Sequence, residues 1–274
     1  NRSQFLDYEL LLVIEANPQN DSINSCEEKF WLTLLKKLTA LKIRVMRKGS
    51  KKAATQYCLA LDEDDIFEYV CAIDRDFEDI DPVYKLPSQH VLTWGYSFEN
   101  DLINPDSMFR PVELALGGHV ADIDKYKQEL FSKLDSTIAA SSRLVMLDQI
   151  CVQRGHGFFH RNGRKFSRLF EYCPTQGNFS VSRVAARERL EQIKPKLDNK
   201  ITASKTGETK RRMFGKCLYW LGYQIYTNHL KSLSKNYRVD YDFFFNIVTD
   251  EVCRQINDGT FEHLAYYDDK IVTT

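Results

Sequence analysis

Excess charge is the first thing the chain lacks, because 38 Lys and Arg stand against 38 Asp and Glu among its 274 residues. Bulk charge therefore selects no partner, and only the distribution of charge is informative. Acids crowd Asp62–Asp81, whereas bases crowd Arg143–Lys216. The sequence also has no apolar run approaching the roughly 20 residues of a membrane helix, and residues 1–20 carry no basic-then-apolar signal pattern. No CxxC occurs, and the 7 cysteines are odd in number and scattered, which argues against a disulfide framework and for reduced thiols in the cytoplasm. A Walker loop (GxxxxGK[ST]) is missing too, so any nucleotide-driven motor acting with this chain must be another polypeptide. Neither internal repeats nor low-complexity segments are found.

What is present is a folded composition, 43% hydrophobic and 12% aromatic, long enough for one large domain or two modest ones. Glu9–Ile14 (ELLLVI) is an almost wholly apolar run that ends on Glu15, the form of a central parallel strand covered on both faces. Turn residues Asn17–Ser22 follow, and Cys26–Leu41 then repeats apolar residues at helical spacing (Phe30, Trp31, Leu34, Leu35, Leu38, Leu41). Lys42–Met46 alternates as a strand, Arg47–Lys52 is a basic turn, and Lys51–Asp65 reads as helix. Tyr69–Phe77 (YVCAIDRDF) carries a buried strand straight into Asp74 and Asp76, and His90–Thr93 makes a fourth strand shortly before Glu99. The alternation of strand and helix over residues 9–104 predicts a parallel α/β sheet, and ligands of such sheets gather at the C-terminal ends of the strands. Glu15, Asp74, Asp76 and Glu99 all fall there.

Carboxylates brought together in this way repel one another by about 4 kcal/mol per close pair at an effective dielectric of 20. Mg²⁺ or Mn²⁺ relieves that repulsion, since these hard cations take carboxylate oxygens and keep waters to offer to phosphates. A lone DxD more often caps a helix or solvates a loop, and it is the addition of Glu15 and Glu99 on other strands that turns the reading toward a metal. Glu27 and Glu28 open a helix, where acids also favour the positive end of the helix dipole.

The pieces VIEA (Val13–Ala16), EEKFW (Glu27–Trp31), AIDRDF (Ala72–Phe77) and TWGYSFENDL (Thr93–Leu102) together resemble the AriB-like Toprim nuclease family of the PARIS anti-phage system, itself related in site pattern to the overcoming-lysogenization-defect nucleases. FGKCL (Phe214–Leu218) extends the resemblance beyond the first 105 or so residues. The resemblance implies a Toprim-like domain over 1–110 and a mostly helical portion over 111–274 for nucleic-acid or partner binding. It implies a Mg²⁺- or Mn²⁺-dependent nuclease, held silent by an AriA-like ABC-type ATPase and released to cut host RNA, with tRNA the expected class, as a homodimer when active. Carried over residue by residue, Glu15 matches the Toprim glutamate, Asp74 and Asp76 the metal-binding pair, Glu99 the acid of the S-x-E-N stretch, and Lys216 a GK lysine for the charged transition state. Ala16 stands where many relatives have Gly, and Glu27 follows an inserted loop where they have an Asp about four residues after the glutamate.

The second half predicts helices at Tyr126–Ala140, Arg143–Arg154, Val181–Leu197, Met213–Leu233 and Asp240–Asn257, an irregular aromatic and basic stretch at Gly155–Gln176, and a loop at Ile201–Lys210. Arg154, Arg161, Arg164, Lys165 and Arg168 lie among Phe158, Phe159, Phe166 and Phe170, with Lys205, Lys210, Arg211 and Arg212 further on. Such a mixture suits RNA, where bases meet phosphates and rings stack, and equally suits a Phe core under a solvated surface. Cys151, His156, His160 and Cys173 match no zinc-finger spacing. Two other classes remain open: a non-catalytic module docking on a partner ATPase or sensing a phage protein, and a primase-like nucleotidyl transferase.

Overall fold

The computed structural model describes residues 7–18, 22–77, 85–117, 123–152, 157–161, 165–193, 206–233 and 238–272. In chain order the elements are β1 (Leu10–Ile14), α1 (Ser22–Leu38), β2 (Ile43–Arg47), α2 (Lys51–Glu63), β3 (Tyr69–Ile73), β4 (His90–Leu92) and α3 (Phe98–Asp101). There follow α4 (Pro105–Ala115), α5 (Ile123–Ala140), α6 (Ser142–Val152), the hairpin β5 (Phe170–Cys173) and β6 (Asn178–Val181), and α7 (Arg183–Ile193). The chain ends through α8 (Thr206–Arg212), α9 (Gly215–Leu233), α10 (Tyr241–Asp258) and α11 (Leu264–Val272).

The expected parallel α/β sheet is there, four strands in the order β2-β1-β3-β4 with every pairing parallel. Ile14 pairs with Ala72 and Ile73 with Leu92, so Glu15, Asp74 and Thr93 leave adjacent strands at one edge. Leu11, Val13, Tyr69, Cys71 and Ile73 pack with Ala54, Cys58 and Leu61 of α2 on one face. The alternate residues Leu12, Ile14, Val70 and Ala72 point the opposite way and are buried as well, which is why these strands read as unbroken apolar runs. Phe30 and Trp31 of α1 join Phe98, Phe261 and Tyr267 in an aromatic cluster with edge-on contacts.

The chain forms two compact units, Asn1–Leu102 with Tyr241–Thr274, and Ile103–Asp240. The sequence reading placed one break, between residues 110 and 111, and kept 111–274 together. The observed break falls at Leu102, and residues 241–274 return to the first unit because α10 lays Phe244, Phe245, Val248 and Val252 in its core, with Phe245 edge-on to Phe98. That return is invisible to periodicity, which shows an apolar face without naming its partner.

The second unit is built on α4, α5, α6 and α9 with the β5–β6 hairpin. The hairpin lies inside the stretch expected to be irregular, and α8 occupies part of the expected 201–210 loop. Gly222 of α9 meets α4 closely: a Cβ there would come to 2.4 Å from Met108 Cε. Among the described residues no helix is long and apolar enough to cross a membrane.

Candidate metal centre

The first unit brings together the four acids expected at the strand ends. Glu15 Oε1 accepts the backbone N–H of Asp74 at 2.8 Å, joining residues 59 apart in sequence across β1 and β3. Asp74 Oδ1 accepts the N–H of Phe98 at 3.1 Å, which ties the end of β3 to the start of α3. Glu99, buried on that short helix, accepts the Ser97 hydroxyl through Oε2. Asp76 sits one residue beyond Arg75 with a left-handed φ of 49°, and its N–H donates to the carbonyl of Tyr96 at 2.8 Å. A non-glycine residue in that region is uncommon, and aspartate tolerates it better than most.

Electrostatics mark these acids as a group. Burial pushes Glu15 from an ordinary 4.5 up to about 7, Asp76 adds repulsion, and the backbone N–H groups of Asp74 and Lys51 pull the other way. Asp74 is raised well above the usual carboxylate range, first by burial and then by Glu15, Glu99, Glu27 and Asp76. The two titrate as one system, and the pair retains a proton into the neutral range. Glu27 therefore stands in the field of the site, whereas Glu28 is engaged by Arg47 Nε at 2.6 Å and serves α1 and β2.

Two basic residues that sequence reasoning missed complete the centre. Lys51, on the first turn of α2, is buried, and its Nζ donates to the Asp74 carbonyl at 2.7 Å and to Asp76 Oδ2 at 3.1 Å. Arg75 turns inward between the two acids. Its N–H donates to Thr93 Oγ1 at 2.9 Å, its Nε to the Thr93 carbonyl at 2.9 Å and its Nη2 to Tyr266 Oη at 2.5 Å. Tyr266 in turn donates to the Leu92 carbonyl at 2.9 Å, so α11 fastens the edge from which the acids project. Periodicity placed Lys51 at a helix start but held no sign that it faces a strand exit 23 residues away.

The donor set is that of a hard divalent cation: carboxylates, with backbone carbonyls beside them. Its charge is undercompensated, since acids that raise each other's pKa meet one internal ammonium. Even so, among the described residues no three carboxylates are gathered into a ready-made metal cluster, because each acid is held by its own partner. The site residues fit a cation by chemistry and by charge.

Lys216 is exposed at the start of α9 and belongs to the second unit. Of the basic and aromatic stretch, Phe158, Phe159, Phe166 and Phe170 are buried, which makes them core residues and withdraws them from any stacking on bases. Arg161 is committed to Asp148 at 2.6 Å, Arg212 is paired with Glu208, and Lys210 lies over the Phe131 ring. Lys165 is exposed and Arg168 partly so. Arg154, Arg164, Lys205 and His156 lie outside the described residues, Cys151 is buried, and no metal-binding cluster joins it to His160 or Cys173. No family model matches the chain, and no curated protein sequence matches it.

Proposed function

We propose that the chain is a divalent-metal-dependent phosphodiesterase. The observation that carries this reading is the meeting of Glu15, Asp74, Asp76 and Glu99 at the C-terminal edge of three adjacent parallel strands, with Glu15 raised to about 7. Perturbed carboxylates grouped at such an edge are what an acid-dependent phosphoryl site requires. Glu15, Asp74, Asp76 and Glu99 would hold Mg²⁺ or Mn²⁺, which supplies Lewis-acid stabilisation of phosphate oxygens and a nucleophilic water near neutral pH.

The chain's own groups do the rest. Phe98 N–H and Asp74 N–H orient the Asp74 and Glu15 carboxylates, so the acids are fixed before any cation arrives. Glu15, ionising near neutrality, is matched to taking a proton from a water at that pH. Lys51 sets a positive charge beside Asp76, which favours an anionic substrate over a neutral one.

The substrate class follows from the resemblance of VIEA, AIDRDF and TWGYSFENDL to AriB-like Toprim nucleases. On that reading the chain is the toxic effector of an anti-phage system, cutting host RNA, with tRNA the expected target, once an ABC-type ATPase partner releases it. The test is sequencing of cellular RNA ends after expression of the wild-type chain and of Glu15→Ala. A discrete set of ends present only with Glu15 is expected. The same ends in both strains would overturn the reading, and so would a chain that shows no uptake of Mg²⁺ or Mn²⁺ by calorimetry.

A further inference from the structure

Lys51 differs from the other cations of the site in how it is held. Its side chain is only 9% exposed, and besides Asp74 O and Asp76 Oδ2 its Nζ lies 3.5 Å from the carbonyl oxygen of Arg75. An ammonium taken out of water must be wrapped in oxygens, and here the wrapping is half the kind of shell that a metal ion receives. Two of the three oxygens are backbone carbonyls at the exit of β3, which neither titrate nor swing away. Moving Lys51 aside would strand both, so the ammonium is a permanent part of the centre.

The acids divide accordingly. Glu15 and Asp74 are bound to each other through a backbone N–H, and Asp74 feels Glu99 as a neighbouring negative charge. Asp76, with its side chain 41% exposed, is turned by its left-handed backbone and by the Tyr96 carbonyl, and its carboxylate lies on Lys51.

We propose, resting on the metal reading above, that Lys51 serves as a built-in second cation. The centre then takes one divalent ion, on Glu15, Asp74 and Glu99, while Asp76 is the counter-ion that positions Lys51. Chelation removes one positive charge from such a site and leaves the other, which stays directed at the phosphate of a bound substrate.

Titration of the purified full chain with Mn²⁺ at pH 8, read by calorimetry and by electron paramagnetic resonance, tests this. The wild type is expected to bind one Mn²⁺. D76N should keep that ion within roughly threefold, whereas D74N should weaken it by at least about a hundredfold, as for loss of a ligand rather than of an outer partner. K51Q, which frees Asp76, is expected to gain a second Mn²⁺, and K51R, which keeps the charge, is not. Two ions in the wild type, loss of binding in D76N, or a K51Q protein that stays at one ion would each overturn the proposal while leaving a metal enzyme in place. No binding by the wild type would instead sink the metal reading itself. If K51Q is unfolded in chelator, Mn²⁺ should restore its circular dichroism; a chain that stays unfolded at saturating Mn²⁺ counts against the proposal.

Discussion

Asp74 in the first unit and Asp148 in the second are both aspartates whose pKa is raised by burial, yet their surroundings differ in kind. Asp148 accepts the Phe159 N–H at 2.9 Å and the Arg161 guanidinium at 2.6 Å, and Arg161 lies over the Phe214 ring at 4.5 Å. The charge is answered within the fold, and the pair closes the second unit. Asp74 faces Glu15, Glu99, Glu27 and Asp76, with a single buried ammonium beside it. Its repulsion is left for something outside the chain to relieve. A carboxylate that serves structure is given a partner; one poised for a ligand is given competitors.

The largest effect that separates the two sites is on stability. D148A or R161A leaves a buried group without its partner and should cost about 3–5 kcal/mol in urea denaturation. E15Q in chelator should instead leave stability unchanged or raise it, because repulsion is removed. If E15Q destabilises as much as D148A, the distinction between the sites is broken.

Next comes pH. Glu15 titrates near 4.5 when unfolded and at about 7 when folded, so the folded state holds the proton longer. Its contribution to stability is complete below about pH 4.5 and is lost as pH rises through about 7, for a total on the order of 3 kcal/mol. Metal-free protein should therefore weaken over that window, E15Q should flatten the profile, and Mg²⁺ at pH 8 should restore the wild type. Equilibrium unfolding at several pH values with and without chelator checks all three.

A smaller loss is expected from G222A, where the new Cβ meets Met108 Cε: about 1–3 kcal/mol, confined to the second unit and without change in Mn²⁺ affinity. Smaller still is Y266F, which removes the phenol shared by Arg75 and the Leu92 carbonyl and should cost about 1 kcal/mol in thermal melting. A Y266F change that also weakens Mn²⁺ binding would show that α11 helps to shape the acidic centre.

Much of the first unit was legible because its signals are local. ELLLVI and YVCAI are apolar without alternation, a pattern that only a strand covered on both faces sustains, and the acid after each run marks its exit. Glu15, Asp74 and Glu99 were therefore readable as strand-end acids, and the parallel sheet that joins them was expected. The β5–β6 hairpin was missed because short strands of mixed residues such as FEYC and NFSV carry too few alternations to stand out. The four phenylalanines near residue 160 were read as open to RNA because composition says nothing about which way a ring faces.

Determined by the sequence alone are the strand-and-helix alternation, the apolar faces and the set of acids at strand ends, since each depends on residues within one turn or one strand. Tertiary structure alone decided that β1, β3 and β4 are neighbours, that α10 and α11 return to the first unit, and that Lys51 rather than a lysine of the second unit holds Asp76. Those are contacts between residues from 25 to 191 positions apart. Long-range pairing of this sort is set by packing, and packing leaves no period in the chain that encodes it.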